Sequence, residues 1–472
     1  MDAFFAALND FNGTVYLYGL VGLLIAVGLW LTLATRGVQV RQFGAMVRSL
    51  TRSRTGADGG ISSFQAFAIG MATRIGIGNI TGVALALILG GPGAVFWMWI
   101  VAAVGMATGF AEATLAQLFK EPAGDGTYRG GPAYYVSVGL RSRLWGGLFA
   151  VLLVFAMAVA MPMVQSNTIA VALADAEGVP TTVAAVVLAG LTAVVVFGGV
   201  RGVARAAELI TPAMAFGYLL IAVAVVATNL PSVPGFLADI VAGAFGLREG
   251  LAGVGGGVTA ALLNGAQRGL FSNEAGMGTA PNGAATATVD HPVQQGLVQS
   301  LGVFIDTVLI CTSTAFIILS TGSAVYTPGV TAREQAASLT TTAVTHQLGA
   351  WATWPMLVMV FFFGFSSILG AYAYAQVNLA FLRCPDWSRH LLAGVTVATT
   401  GIGAVLALPH VWILMDTAMA LITVVNLAGL VALTGWVRAA LRDYEAQAGR
   451  PPSLSADAMP DAAALSAWGP RR

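Results

Sequence analysis

Phe64 to Leu89 reads FQAFAIGMATRIGIGNITGVALALIL, a run long and apolar enough to cross a bilayer, with Arg74, Gly76, Gly78 and Asn79 at its centre. A helix in lipid satisfies its backbone internally, so two glycines, an arginine and an asparagine at mid-depth require protein or water around them. A broken helix that lines a site is expected here.

The rest of the chain is consistent with that setting. Of 472 residues, 57% are hydrophobic and 9% charged, whereas soluble proteins carry about 25% charged residues. Mean hydropathy is +0.80. Runs of roughly 20 apolar residues recur, where barrel strands would be about 10 residues of alternating polarity, so an all-α polytopic membrane protein is expected. The net charge of +1 says nothing about partners, and no nucleic acid is expected. The first apolar run has no basic residue ahead of it and no small-residue cleavage site behind it, so it is expected to be a retained helix. Cys311 falls in a span and Cys384 in a loop, so no structural disulfide is expected.

Eleven transmembrane helices are expected, at 16–35, 64–90, 93–119, 145–173, 181–199, 208–228, 252–281, 294–321, 351–382, 390–408 and 411–436. With the N-terminus outside, eighteen basic residues from Arg36 to Arg472 fall on cytoplasmic segments and only Arg248 and Arg333 outside. That asymmetry is what retention of basic loops produces. The inner (cytoplasmic) membrane of the cell is the expected location, with the C-terminus in the cytoplasm. Residues 1–63 then form an N-terminal helix and basic linker, and 64–228 and 229–436 form two five-helix halves of opposite orientation. The segment 437–472 is a cytoplasmic tail, rich in Pro, Ala and Asp beyond Glu445 and expected to be disordered.

The first helix of each half is interrupted. In 64–90 the interruption is Gly76 to Asn79, and in 252–281 it is GAQRGLFSNEAGMG, with Arg268, Asn273 and Glu274. Paired, glycine-interrupted segments in inverted halves point to a midplane site of a secondary transporter. Unwinding frees amide donors and a half-helix N-terminus for a carboxylate, and carbonyls for a small hard cation. Alternatively, Gly78 and Gly82 are only a packing face. The second break offers Phe271, Ser272 and Gly276. Arg268 and Glu274 lie six apart and would pair only across an unwound turn. Glu112 and Asp306 are intramembrane acids, and with Arg74 these residues make a charge network of unassigned partners.

Gln165 at mid-depth suits an amino or carboxyl group, or an interhelical hydrogen bond. Ser366 and Ser367 suit an oxygen shell for sodium, or bond back to their own helix. Residues 120–144 read as a packed gating loop or a plain connector, and 331–348 as a surface helix over the outer vestibule. His291, His346, His390 and His410 lie in loops or at span ends, and no HExxH or GxSxG occurs, so an enzyme is not expected. There is no carbonyl-filter repeat for a channel, and no Walker motif for a pump.

The runs ISSFQAF, GIGNITGVALALILGGPGAVFWMW, TYRGGPAYY, MVQSN, RGLFSNEAGMGTAP, DHPVQQGLVQSLGVFIDT and FSSILG closely resemble the alanine or glycine:cation symporter family, over about 60 to 382. The resemblance implies the leucine-transporter type fold, a five-plus-five inverted repeat with one extra N-terminal helix. It also implies sodium-coupled uptake of a small neutral amino acid, with sodium as coupling ion and no cofactor. By resemblance, Gly76, Ile77, Gly78, Asn79, Gln165, Phe271, Ser272, Gly276, Ser367 and Ala371 face the substrate. The carbonyls of Ala72, Ile75 and Phe363 with the hydroxyls of Ser366 and Ser367 make the sodium shell.

The chain departs from the family pattern three times: Ile77 for threonine, Ala371 for tryptophan, and Ala375 with Gln376 for Gly-Glu. Tryptophan to alanine at a pocket wall opens on the order of 100 Å³ or more. Serine or glutamine therefore stand beside alanine and glycine as expected substrates. A fixed cation at Arg74 implies one sodium per cycle. Proton coupling through Glu112, Glu274 or Asp306 is the alternative.

Overall fold

Ser62 starts the helix of the quoted stretch. Its hydroxyl accepts from the Gln65 amide at 3.1 Å, and the Gln65 side chain accepts from the Ser62 amide at 2.9 Å, a reciprocal cap. The same device recurs at His291, whose Nδ1 accepts from the Val293 amide while the Gln294 side chain accepts from the His291 amide. Two of the runs that carry the resemblance thus begin with helix caps.

The computed structural model describes residues 2–52, 61–123, 127–197, 200–247, 254–447 and 450–468. In chain order the main helices are α1 (Ala3–Ala34), α2 (Ser63–Arg74), α3 (Gly78–Gly90), α4 (Gly93–Leu118), α5 (Pro132–Gly139), α6 (Arg143–Glu177), α7 (Thr181–Val196) and α8 (Val200–Thr228). They continue as α9 (Leu230–Ala244), α10 (Val254–Asn273), α11 (Ala280–Ala284), α12 (Pro292–Leu319), α13 (Ala336–Leu348), α14 (Thr353–Phe381), α15 (Trp387–Val405), α16 (Leu408–Ala432) and α17 (Thr434–Ala446). A two-residue hairpin, Glu121–Pro122 with Tyr128–Arg129, is the one sheet among the described residues.

The chain is an all-α polytopic membrane protein. Among the described residues seven helices are long and apolar enough to cross a membrane, and α2 with α3, bent by 48° at their break, make up an eighth where the bent pair is counted as one span. Of the eleven expected spans, α7, α10 and α15 fall outside this set. Helix α7 is only 16 residues, α10 contains Asn264, Gln267 and Arg268, and α15 opens on Trp-Ser-Arg-His. Helix α9 was not anticipated: Pro231, Pro234 and Asp239 disguise a short apolar helix that packs on α4. Outward-facing apolar residues such as Val194, 77% exposed, suit lipid rather than water.

Two packed groups position the site. Helices α4, α10 and α12 pack on one another and on α2 and α3, while α6, α7, α14 and α15 form a second group. Small residues bring the backbones together: a Cβ at Gly265 would lie 2.3 Å from the Ala94 carbonyl, and one at Gly403 2.3 Å from the Met163 Cα. Such small-residue contacts drive helix association in lipid. Wide π turns interrupt α3 at Gly78–Gly82 and α12 at Phe304–Cys311, and both hold site residues, as π turns often do.

Where the tail was expected to be disordered, its described residues are seated. The Trp468 indole donates to the Gln117 carbonyl at 2.8 Å, the Ser466 hydroxyl to the Lys120 carbonyl at 3.2 Å, and the Leu454 amide to the Asp290 carbonyl at 3.3 Å. Met459 and Leu465 are buried. A polar-rich composition hid a few apolar anchors that find a ready-made groove.

Candidate functional site

Helix α2 stops at Arg74 because Ile75 leaves the helical region (ψ 81°). Two amides of the first break turn to side chains. The Gly76 amide donates to Asn79 Oδ1 at 3.0 Å, and the Ile77 amide to Gln165 Oε1 at 3.3 Å. Asn79 Nδ2 in turn donates to Asp306 Oδ1 at 2.6 Å. Ser272 donates to Asp306 Oδ2 at 2.5 Å and Thr307 to the same oxygen at 3.0 Å. Cys311 Sγ lies 3.0 Å from Ser272 Oγ. All of these side chains are buried. The glycines are required by close approach: a Cβ at Gly76 would lie 2.3 Å from Ser367 Oγ, and one at Gly78 2.8 Å from the Phe271 ring.

One turn back, oxygens converge. Ser366 Oγ is 3.3 Å from the Ala72 carbonyl and 3.2 Å from that of Phe363. Ser367 Oγ is 3.0 Å from Ala72 O, 2.9 Å from Phe363 O and 3.3 Å from Thr73 O. Four members of the anticipated shell are thus together, with Thr73 as an addition. No hydrogen bond ties the Ile75 carbonyl to them among the described residues. An all-oxygen, neutral donor set is the chemistry of a hard cation. Ala371 lies one turn beyond Ser367 and is fully buried.

The second break is shorter than the sequence suggested. Helix α10 runs unbroken through Asn273, and the unwound segment is Glu274 to Thr279. Gly265 and Gly269 serve contact with α4 instead of unwinding. Arg268 therefore does not meet Glu274, because six residues of continuous helix turn through roughly 600°, to the far side. It faces α16: Nη2 lies 2.8 and 2.7 Å from the two Asp416 oxygens, and the guanidinium sits 4.5 Å over the Trp412 ring. Trp412 in turn packs edge-on against Phe271 at 4.8 Å.

Glu274, with a left-handed φ of 57°, accepts from Thr279 at 2.7 Å and from Thr73 at 3.4 Å. Glu112 accepts the Gly276 and Gly278 amides at 3.1 and 3.0 Å. The Gly276 amide, expected to face substrate, is thereby engaged by Glu112. Arg74 is fully buried and donates to the Gln299 carbonyl at 3.2 Å, with Nε unpartnered. No carboxylate pairs with it within 4.0 Å among the described residues.

Described residues of the 120–144 stretch, Lys120 and Gly131 among them, pack against the far end of the second break. A Cβ at Gly131 would lie 2.5 Å from Asn282 Oδ1. Lys120 Nζ donates to the Ala287 carbonyl at 2.8 Å and sits 4.1 and 4.9 Å from the Tyr128 and Trp468 rings. Burial pulls its ammonium down to about 7. Sequence reasoning missed Asp416, Trp412 and Asn426, whereas Tyr135 lies in the stretch read as a packed gating loop or a plain connector. Asp416, an acid inside an expected span, carried the same signal as Glu112, and Asn426, an amide inside the same span, the same signal as Asn79. Trp412 carried none, since tryptophan at a span end is unremarkable.

A model of the sodium:alanine symporter family matches residues 1–455. The chain is 43% identical over 470 residues to the amino-acid carrier protein AlsT of Bacillus subtilis (strain 168), covering 99% of this chain and 98% of the relative. It is 41% identical over 452 residues to a probable sodium/glutamine symporter, GlnT, of the same organism, covering 95% and 93%. To the sodium/alanine symporter AgcS of Methanococcus maripaludis it is 35% identical over 442 residues, covering 92% and 96%.

Proposed function

The chain belongs to the sodium:alanine symporter family, a family of transporters and not of enzymes, and from that premise we propose how its two breaks perform sodium-coupled amino-acid symport. The substrate is a small neutral amino acid, with alanine, glycine, serine and glutamine as the set. Its carboxylate takes the amides of Gly76, Ile77 and Gly78, displacing Asn79 and Gln165, which turn to the substrate's own polar groups. Phe271 and Ser272 close the opposite wall, and Ala371 leaves room for a longer side chain. Sodium takes the carbonyls of Ala72, Ile75 and Phe363 with the hydroxyls of Ser366 and Ser367, one ion per cycle.

The carrying observation is the juxtaposition of the two donor sets: Ser367 touches Ala72 and Thr73, and Gly76 lies against Ser367. An ion bound there fixes the end of α2 and with it the amides offered to substrate, which is a coupling free energy between two ligands. The Arg268–Asp416 pair and the Trp412–Phe271 contact cover the site from one face, taken as the exterior. In eleven spans, one N-terminal helix and two inverted fives, set in the inner membrane with a cytoplasmic C-terminus, α5 and the basic loops lie on the cytoplasmic face. Rocking of the α2–α3–α4–α10–α12 group against the α6–α7–α14–α15 group then exposes the site to each side in turn.

Thermal-shift or scintillation-proximity binding of an amino-acid panel, with and without sodium, tests this reading. Sodium-dependent binding of a small neutral amino acid is expected. Equal binding without sodium overturns it. A Hill coefficient near two for sodium-dependent uptake overturns the single ion. Asp306, which accepts from Asn79 after the first break and from Ser272 just before the second, favours proton coupling as the second reading, separated by uptake at fixed pH with sodium omitted.

A further inference from the structure

Glu112 makes contacts that symport as described above does not use. One of its oxygens, Oε1, gathers three donors: the Gly276 amide at 3.1 Å, the Gly278 amide at 3.0 Å and Asn426 Nδ2 at 2.5 Å. The two glycines stand at φ 97° and 79°, left-handed backbone that aims alternate amides into one concavity and makes a nest for an anion. Asn426 Nδ2 also donates to the Gly276 carbonyl at 2.9 Å, so donor and acceptor of one glycine are held together. The chain continues outward, because the Tyr135 hydroxyl on α5 donates to Asn426 Oδ1. Glu112, Asn426 and Tyr135 are all buried, and α5 abuts the break directly: a Cβ at Gly278 would lie 2.7 Å from Pro132 and 2.8 Å from Phe149.

We propose that Glu112, Asn426 and Tyr135 form a clamp that keeps the second break shut towards the α5 face, with Glu112 the positioning residue for its backbone and the Tyr135–Asn426 bond the point of release. The proposal rests on the reading of the first break as the substrate site and of the α5 face as cytoplasmic. Four separate elements, α4, the break, α16 and α5, meet in this one chain of hydrogen bonds. Opening towards α5 has to part it, and its weakest member is the neutral phenol–amide bond, since carboxylate bonds are roughly twice as strong.

The chain carries its own reporter. Cys311 lies buried beside Asn79 and Ser272, and Cys384 is exposed. In a Cys384→Ser background, inside-out vesicles are treated with a membrane-impermeant maleimide and Cys311 labelling is timed. Tyr135→Phe and Asn426→Ala are expected to speed labelling by about three- to tenfold, the release of one or two hydrogen bonds, and not to speed it in right-side-out vesicles. Equal rates from the α5 face in a folded Tyr135→Phe protein, or a rise of the same size from both faces, overturn the clamp. Glu112→Ala is expected to exceed both variants, and should it fail to fold, Tyr135→Phe alone decides. Failure of sodium with each of alanine, glycine, serine and glutamine to slow Cys311 labelling in the parent overturns the site reading instead, and the difference between faces still judges the clamp.

Discussion

The two breaks satisfy their backbones by opposite means. In the first, two amides rest on neutral side-chain oxygens, Asn79 at 3.0 Å and Gln165 at 3.3 Å, and two serine hydroxyls rest on carbonyls. In the second, two amides rest on a carboxylate, fixed by a further amide from α16. Neutral bonds contribute about 1 kcal/mol each and exchange readily for a ligand, whereas bonds to charged groups contribute about 1.5–3 kcal/mol. The amides of the first break are thus held by weaker bonds than those of the second, as the proposed exchange for a substrate carboxylate requires. Their arginines repeat the contrast: Arg268 is ion-paired to Asp416, while Arg74 donates to a carbonyl and has no carboxylate within 4.0 Å among the described residues.

The largest effect should come from the more strongly held side. Arg268→Met alone strands Asp416 in a buried site and is expected to cost about 3–5 kcal/mol of stability, most of which Arg268→Met with Asp416→Leu restores. Denaturation in detergent reads both, and a double variant as unstable as the single one breaks the contrast. On the exchangeable side, Asn79→Ala is expected to weaken substrate binding by about 10–100-fold and, through its lost bond to Asp306, to lower stability by about 1.5–3 kcal/mol, the worth of a bond to a charged group. Unchanged affinity in equilibrium binding would put the pocket elsewhere. Gly276→Ala forces a left-handed backbone on an L residue, at a cost of about 1–2 kcal/mol, and should lower thermal stability while leaving sodium affinity in place.

The smallest effect is electrostatic. Lys120 holds the Ala287 carbonyl beyond the second break, and its folded pKa of about 7 lies below the usual 10.5. The folded state therefore binds fewer protons than the unfolded state between those values, and stability rises with pH across that window. Lys120→Met should flatten the slope, read as unfolding midpoints at pH 7 and 9.5.

Periodic apolar runs, and glycines with an arginine and an asparagine in mid-span, made both the membrane class and the first break legible, because lipid leaves unwound backbone few settings. Ser366 and Ser367 were legible by resemblance, and the contacts of Ala72, Thr73 and Phe363 bear on where they lie. The second break was misplaced at Gly265 because glycine marks both unwinding and close packing, and only the position of Ala94 distinguishes them. Asp416, Asn426 and Tyr135 lie 148, 150 and 291 residues from Arg268, Gly276 and Asn426, the groups that they contact.

By itself the sequence determined that this chain lives in a membrane and breaks a helix in mid-span, since those properties follow from local hydropathy and from residues that lipid does not tolerate bare. The tertiary structure alone decided which carboxylate holds which backbone. Pairing in a low-dielectric interior is set by distance and desolvation, and helices far apart in the chain supply both.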